Sequence, residues 1–317
     1  MIHRILATIL VASAFGAAVP AAGVPLPQIP RGVTVGGVAV GGLTFEPARA
    51  KVEARFDEPI RVFHNDKVWH ASPASLGANA TIQDAIVRAV DAKRGQRIKL
   101  RVDVDRAAVR RFVARLDRKY HRPAVDAKLI GLSNLAPSFT EAKPGQQVAR
   151  KTLLRQLVQA LRSTWRGAQI ALPLERIQPK VTSSTYGPIV VIRRGSNRLA
   201  LYKGHSLVRA FGVATGQAKY PTPLGTFEIV SMQRHPWWLP PDSDWAKDEK
   251  PIPPGPGTPL GTRWMGLTAP GVGIHATPDA ASIGYSASHG CIRMRIPDAE
   301  ALFTSVDTGT PVFIVSA

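Results

Sequence analysis

The chain has 317 residues, enough for two domains at the common size of roughly 150 residues each. It is 44% hydrophobic and 20% charged, which excludes wholesale disorder and fibrous repeats. Lys and Arg number 41 against 22 Asp and Glu, a net +19, and the one cysteine, Cys291, rules out an intramolecular disulfide and any multi-cysteine zinc site.

Met1–Arg4 is basic, Ile5–Gly16 is apolar and small, and Val19-Pro20-Ala21 offers small residues for cleavage. That layout predicts a signal peptide over 1–22. An uncleaved anchor is the alternative, although the apolar run falls short of the roughly 20 residues that span a bilayer. Export would make wall polymers, lipid headgroups and peptide carboxylates the anionic partners, with no nucleic acid among them. The charge is uneven. Residues 1–187 hold 29 cations and 13 acids, a net +16, whereas 188–317 hold 12 and 9, a net +3.

Residues 23–31 form a Pro-rich spacer, and a basic α+β domain is expected over 32–183. Gly32–Gly42 reads as a strand or hairpin and Pro47–Phe56 as a short helix. Ile60–His64 and Lys67–His70 read as paired strands around Asn65-Asp66, and Thr81–Val90 as a helix. Ile98, Leu100, Val102 and Val104 alternate, which predicts a strand. Asp105 sits at an N-cap position. Beyond it Val109, Phe112, Val113, Leu116 and Tyr120 mark one helical face, and Arg106, Arg110, Arg111, Arg115 and Arg118 occupy the rest. That basic side is either a solvated face or a face for anionic wall polymer. Asp126–Gly131 reads as a strand, Gln146–Arg162 as an amphipathic helix and Ala168–Leu172 as a strand.

From 188 the grammar changes. Ile189–Ile192, Arg198–Lys203, Leu207–Val213 and Gly225–Val230 are short strands with turns between them, which predicts a mainly-β sandwich or barrel over 188–317. Within it lies Ser288-His289-Gly290-Cys291-Ile292-Arg293, with His275 upstream at the end of a strand expected over Gly271–His275. A lone cysteine in an exported chain is a buried thiol, half of an intermolecular disulfide, or a nucleophile. Gly290 permits a sharp turn before the sulfur, and successive N–H groups of such a turn can stabilise an oxyanion. A thiol near pKa 8.5 needs a base. Two residues from Cys291, His289 would point away in a tight turn, whereas His275 can face the sulfur from a neighbouring strand. Arg234–Lys250, with Trp237, Trp238 and Trp245, reads as a lid, a glycan-stacking surface or a packed loop.

These residues resemble the YkuD-type L,D-transpeptidases, whose signature is a His, a dozen or more residues, then Ser/Thr-x-Gly-Cys, an apolar residue and Arg or Asn. Here 12 residues separate His275 from Ser288. Leu199–Tyr202 with Gly204, Val213–Gly216 with Pro221–Phe227, and Pro259–Trp264 resemble further blocks of that domain in the same order. The chain departs from the family at Ala276, where glycine is common. The basic half more faintly resembles the peptidoglycan-binding domain that often precedes such catalytic domains.

The resemblance implies acyl transfer between peptidoglycan stem peptides. Cys291 would attack the carbonyl before a terminal D-Ala, and an amine of a neighbouring stem would resolve the thioester into a 3→3 crosslink. His275 would shuttle the proton. The backbone N–H groups of Gly290 and Cys291, together with His289, would form the oxyanion hole and turn. Ser288 would hold the turn or the substrate, and Arg293 a substrate carboxylate or a structural acid. No metal or organic cofactor is implied, and carbapenem β-lactams are implied as covalent inhibitors. An L,D-carboxypeptidase would use the same nucleophile with water. A non-catalytic wall-binding protein and a basic nucleic-acid binder are the remaining alternatives; the intact Cys291, His275 and Gly290 argue against the first, and the signal segment against the second.

Overall fold

A computed structural model describes residues 26–163, 167–255 and 257–317. The signal segment expected over 1–22 lies outside the described residues. The described residues divide into two compact units, one drawn from 26–118 and 148–173, the other from 119–147 and 174–317.

The first unit mixes helices with short strands. Helices α1 (Phe45–Phe56) and α2 (Ile82–Val90) pack together. Ala48 and Val52 of α1 and Ala85, Ile86 and Ala89 of α2 are buried in its core. Strand 60–64 pairs antiparallel with 67–71 around Asn65, which adopts a positive φ of 49°, and pairs parallel with 169–171. Helix α3 (Arg106–Tyr120) buries Val109, Phe112, Val113 and Leu116, the face its spacing predicted. Asp105 caps it by accepting the Ala107 N–H at 2.7 Å. Helix α4 (Arg150–Arg162) starts later than its pattern suggested, because residues 145–148 form a strand first. Asp117, 1% exposed, accepts the Val148 N–H and the Arg150 Nε–H, each at 2.8 Å, and so ties α3 to the start of α4.

One expected strand is divided. Residues 97–98 pair parallel with 34–35, whereas 102–104 pair antiparallel with 78–80. Alternation continues through Leu100, but the two ends serve different sheets and 99–101 belong to neither.

The second unit is β-rich, as its strand-and-turn grammar predicted. Its sheet contains β1 (Pro188–Arg193), β2 (Arg198–Lys203), β3 (Ser206–Gly212), β4 (Gly225–Arg234), β5 (Arg263–Leu267), β6 (Gly273–Thr277), β7 (Ile292–Arg295) and β8 (Pro311–Val315), in the order β3-β2-β1-β8-β4-β5-β6-β7. Strand β4 pairs with β8 along its first four residues and with β5 from Ile229 onward. Serving both halves, it bends the sheet into a nearly closed, barrel-like layer. Val190 and Ile192 of β1 face a core shared with Met265, Ile274, Ile292 and Leu302, the last from helix α5 (Ile296–Phe303). Ile189 and Val191 face the other side, where Leu129, Leu132, Ala136 and Phe139 cover them. Those four residues lie on a hairpin, 129–133 with 136–139, so part of the sequence read with the basic half packs with the catalytic sheet. Burial on both faces explains the unbroken apolar run of β1.

Candidate active site

The site forms where β6 and β7 run parallel, with Ile274 opposite Ile292 and His275 opposite Arg293. Ile274, Ala276, Ile292 and Met294 are fully buried in the core. Side chains alternate along a strand, so His275 and Arg293 project from the opposite face, and so does Cys291 just before β7. Cys291 stands beside Gly273, two residues before His275. A strand spacing of about 4.8 Å and two rises of about 3.3 Å put the Cys291 and His275 Cα atoms about 8 Å apart on that face. The two side chains share that face but form no hydrogen bond with each other.

The Cys291 Sγ lies 3.5 Å from the Gly271 carbonyl oxygen. Burial pushes the thiol up from its ordinary pKa, while a hydrogen bond from the Gly273 backbone and the Arg293 charge pull the other way. His275 is 4% exposed. Its Nδ1 donates to the Ala276 carbonyl at 2.7 Å. A carbonyl only accepts, so the ring proton sits on Nδ1 and Nε2 keeps its lone pair. Burial lowers the His275 pKa to about 4, outweighing the Ala276 bond that raises it; the Arg293 charge lowers it further. Trp264, opposite His275 on β5, stacks on the imidazole with centroids 5.9 Å apart and planes at 29°. The indole also covers Gly273, where any Cβ would collide with its six-membered ring. Ala276, the departure from the family pattern, keeps the carbonyl that orients His275. Its methyl packs where Gly261, at φ +59°, leaves room.

The turn before the sulfur is held from inside. Ser288, 1% exposed, donates its hydroxyl to the Cys291 carbonyl at 2.6 Å and accepts the Gly290 N–H at 3.1 Å. Both bonds engage the Ser288 hydroxyl within the turn. The Gly290 N–H, one of the expected oxyanion donors, is thereby engaged within the turn. Gly290 serves through its backbone shape: its φ is +112°, and a Cβ there would meet only open space and the distant Tyr220 carbonyl, so conformation and not crowding demands glycine. Thr222, fully buried, donates to the Gly290 carbonyl at 2.9 Å and accepts the Gly216 N–H at 2.8 Å. In the sequence Thr222 is one letter of a matching block, and nothing local signals that its hydroxyl reaches a turn 68 residues later.

The His289 ring is exposed. It stacks on Trp245 at 4.1 Å and 15°, with Tyr220 tilted at 5.0 Å on the ring system. Desolvation first, then the charges of Arg293 and Lys219, lower its pKa. Trp238 pairs through its backbone with Ile252 and lies 6.4 Å from the Trp245 ring. The Trp-bearing segment is thus packed beside the turn, with Trp237 left 56% exposed. Arg293 is 3.8 Å from the Asp279 carboxylate and keeps 24% of its side chain exposed. No group of His, Cys, Asp and Glu suited to a metal ion occurs among the described residues.

Residues 187–314 match the L,D-transpeptidase catalytic domain family, and residues 69–166 match a family described as "Putative peptidoglycan binding domain". The "Putative L,D-transpeptidase YqjB" of Bacillus subtilis is 33% identical over 133 residues, covering 40% of this chain and 70% of that protein. The "Putative L,D-transpeptidase YkuD" of Bacillus licheniformis is 29% identical over 180 residues, covering 55% of this chain and 96% of that protein. A solved structure of L,D-transpeptidase 3 from Mycobacterium tuberculosis with a faropenem-derived adduct aligns with 61% of this chain and 78% of its own, at 18% identity and a TM-score of 0.35. With its sulfur, histidine and glycine turn set on the matching domain, the chain belongs to the YkuD-type L,D-transpeptidase family.

Proposed function

We propose that the protein is an exported peptidoglycan L,D-transpeptidase that forms 3→3 crosslinks through a thioester on Cys291, with His275 as the proton shuttle. One observation carries this reading: His275 is locked as the Nδ1–H tautomer by the Ala276 carbonyl, with its basic nitrogen left over on the face that bears the thiol. At neutral pH the thiol is protonated and the imidazole neutral, because burial pushes their pKa values apart in opposite directions. Attack then couples to proton transfer. The S–H proton passes to Nε2 as sulfur bonds to the donor-stem carbonyl carbon. The C–N bond to D-Ala breaks, and Nε2–H protonates the leaving amine. An acceptor-stem amine attacks the thioester, gives its proton to Nε2 and releases the thiolate, which takes that proton back.

The oxyanion is received by the Cys291 and His289 N–H groups, since the Gly290 N–H is bound to Ser288. Arg293 supplies a cation for a donor-stem carboxylate, with about a quarter of its side chain exposed beside the nucleophile. The same thiol opens a carbapenem ring and retains one drug mass. The basic first half holds the enzyme on anionic wall polymer.

Mass spectrometry of products from purified tetrapeptide muropeptides tests the reaction. Crosslinked dimers with one D-Ala released per bond are expected. Tripeptide monomers with free D-Ala and no dimer would assign a carboxypeptidase instead, and no D-Ala at all would remove the catalytic reading.

A further inference from the structure

Unit one carries a concave site outside the catalytic domain. Lys151, Leu154, Arg155, Val158, Gln159 and Arg162 follow one another along α4 and, with Arg106 from the first turn of α3, line a groove of about 550 Å³. Lys151 and Arg162 stand eleven residues apart, or about 16 Å along a helix rising 1.5 Å per residue. Lys151 and Arg155 lie one turn apart, roughly 6 Å. Val158 is 8% exposed and with Leu154 forms an apolar floor between the cations.

The four charges are unneutralised. None of Arg106, Lys151, Arg155 and Arg162 forms an ion pair among the described residues. The sequence has no Asp or Glu between Glu141 and Glu175, while that stretch carries six Lys and Arg. A solvated basic face would need no concavity and no apolar floor. Four like charges held along one groove repel each other, and a run of oxyanions relieves that repulsion. Three of the four are guanidinium groups, whose planar fork matches a phosphate or carboxylate edge.

Resting on the wall-polymer role proposed for the basic first half and narrowing it to one place, we infer that the α3–α4 groove is a binding site for a linear polyanion, a flexible polymer with one phosphate or carboxylate per repeat, whose uncharged parts rest on Leu154 and Val158. Concavity decides against a flat anionic membrane, which would not enter it. Fluorescence anisotropy on the full chain, with labelled sodium polyphosphate and labelled poly-γ-glutamate, distinguishes the two oxyanions. Binding to at least one is expected, weakening as salt rises. Arg155→Gln with Arg162→Gln should weaken it at least tenfold and flatten the slope of log affinity against log salt by about 0.7 per cation removed. Arg110→Gln with Arg118→Gln removes the same charge from the exposed part of α3 outside the groove and should stay within twofold of wild type. Arg106→Gln with Lys151→Gln gives a second reading should the first pair fold poorly. Equal losses in groove and control variants, or binding only to anionic lipid vesicles, would overturn the assignment. The groove and the thiol lie in different units, so its failure would leave carbapenem acylation of Cys291 unchanged.

Discussion

His275 should stay a competent base far below the pH at which an ordinary histidine protonates. Its pKa stands at about 4 against a usual 6.5, chiefly because the buried ring has no water to solvate a charge. At pH 5 a group with pKa 4 is about nine-tenths neutral, whereas one at 6.5 would be only about 3% neutral, roughly a thirtyfold difference in available base. The rate of Cys291 acylation by a carbapenem, followed by stopped flow from pH 3.5 to 8, should change little between pH 7 and pH 5. Its acid limb should fall with a midpoint near the His275 pKa of about 4. The same shift has a thermodynamic side. Between the folded and unfolded pKa values the unfolded chain binds a proton that the folded chain refuses, so stability falls as pH drops from 6.5 toward 4. The depression amounts to about 3 kcal/mol at 1.36 kcal/mol per unit. Denaturant titrations at pH 7 and pH 4 should show wild type losing about that much more than His275→Gln, since the variant has no proton to refuse. An acylation midpoint near 6.5, or identical pH dependence of stability in the two proteins, would refute the buried neutral imidazole.

Cys291→Ala should abolish D-Ala release and drug adduct formation, while His275→Ala should fall roughly 10²–10⁴-fold and recover partly as pH rises toward the thiol pKa; equal, pH-independent loss in both would remove His275 as base. Thr222→Val orphans the Gly216 N–H and the Gly290 carbonyl in a dry site, at about 1–3 kcal/mol each. Calorimetry should register that loss together with slower acylation, and Thr222→Ser should restore both; a normal Thr222→Val rate would mean the turn holds without it. His289→Ala keeps the backbone donor but unstacks Trp245, so it should lose about 0.5–1.5 kcal/mol of aromatic packing and stay far more active than His275→Ala. A reversal of that order in product assays would exchange the two histidines.

Much of the catalytic unit was legible because its signals are local. Arg198–Lys203 and the strands around it follow from short apolar runs punctuated by Gly and Asn, and the paired strands at 60–71 follow from Asn65-Asp66. Gly290 before Cys291 announced a turn, and the structure supplies a positive φ there. The strand expected to end at His275 is present as Gly273–Thr277, and it runs beside the strand that starts directly after Cys291.

Other features have no local signature. The alternation of 98–104 promised one strand, yet which edge each end would find depends on 34–35 and 78–80, far away in the chain. Whether Ser288 would face a substrate or its own turn depended on the angle of one hydroxyl, and the structure spends it on Gly290 and Cys291. The role of Thr222, the stacking of Trp264 on His275 and of Trp245 on His289, and the hairpin at 129–139 covering β1 are all contacts between distant segments. By itself the sequence determined periodicity, turn chemistry and the motif around the one sulfur, because those properties belong to neighbouring residues. Only the tertiary structure decided which backbone N–H groups stay free and which face is dry, because a hydrogen bond or a desolvated charge is a property of two segments at once.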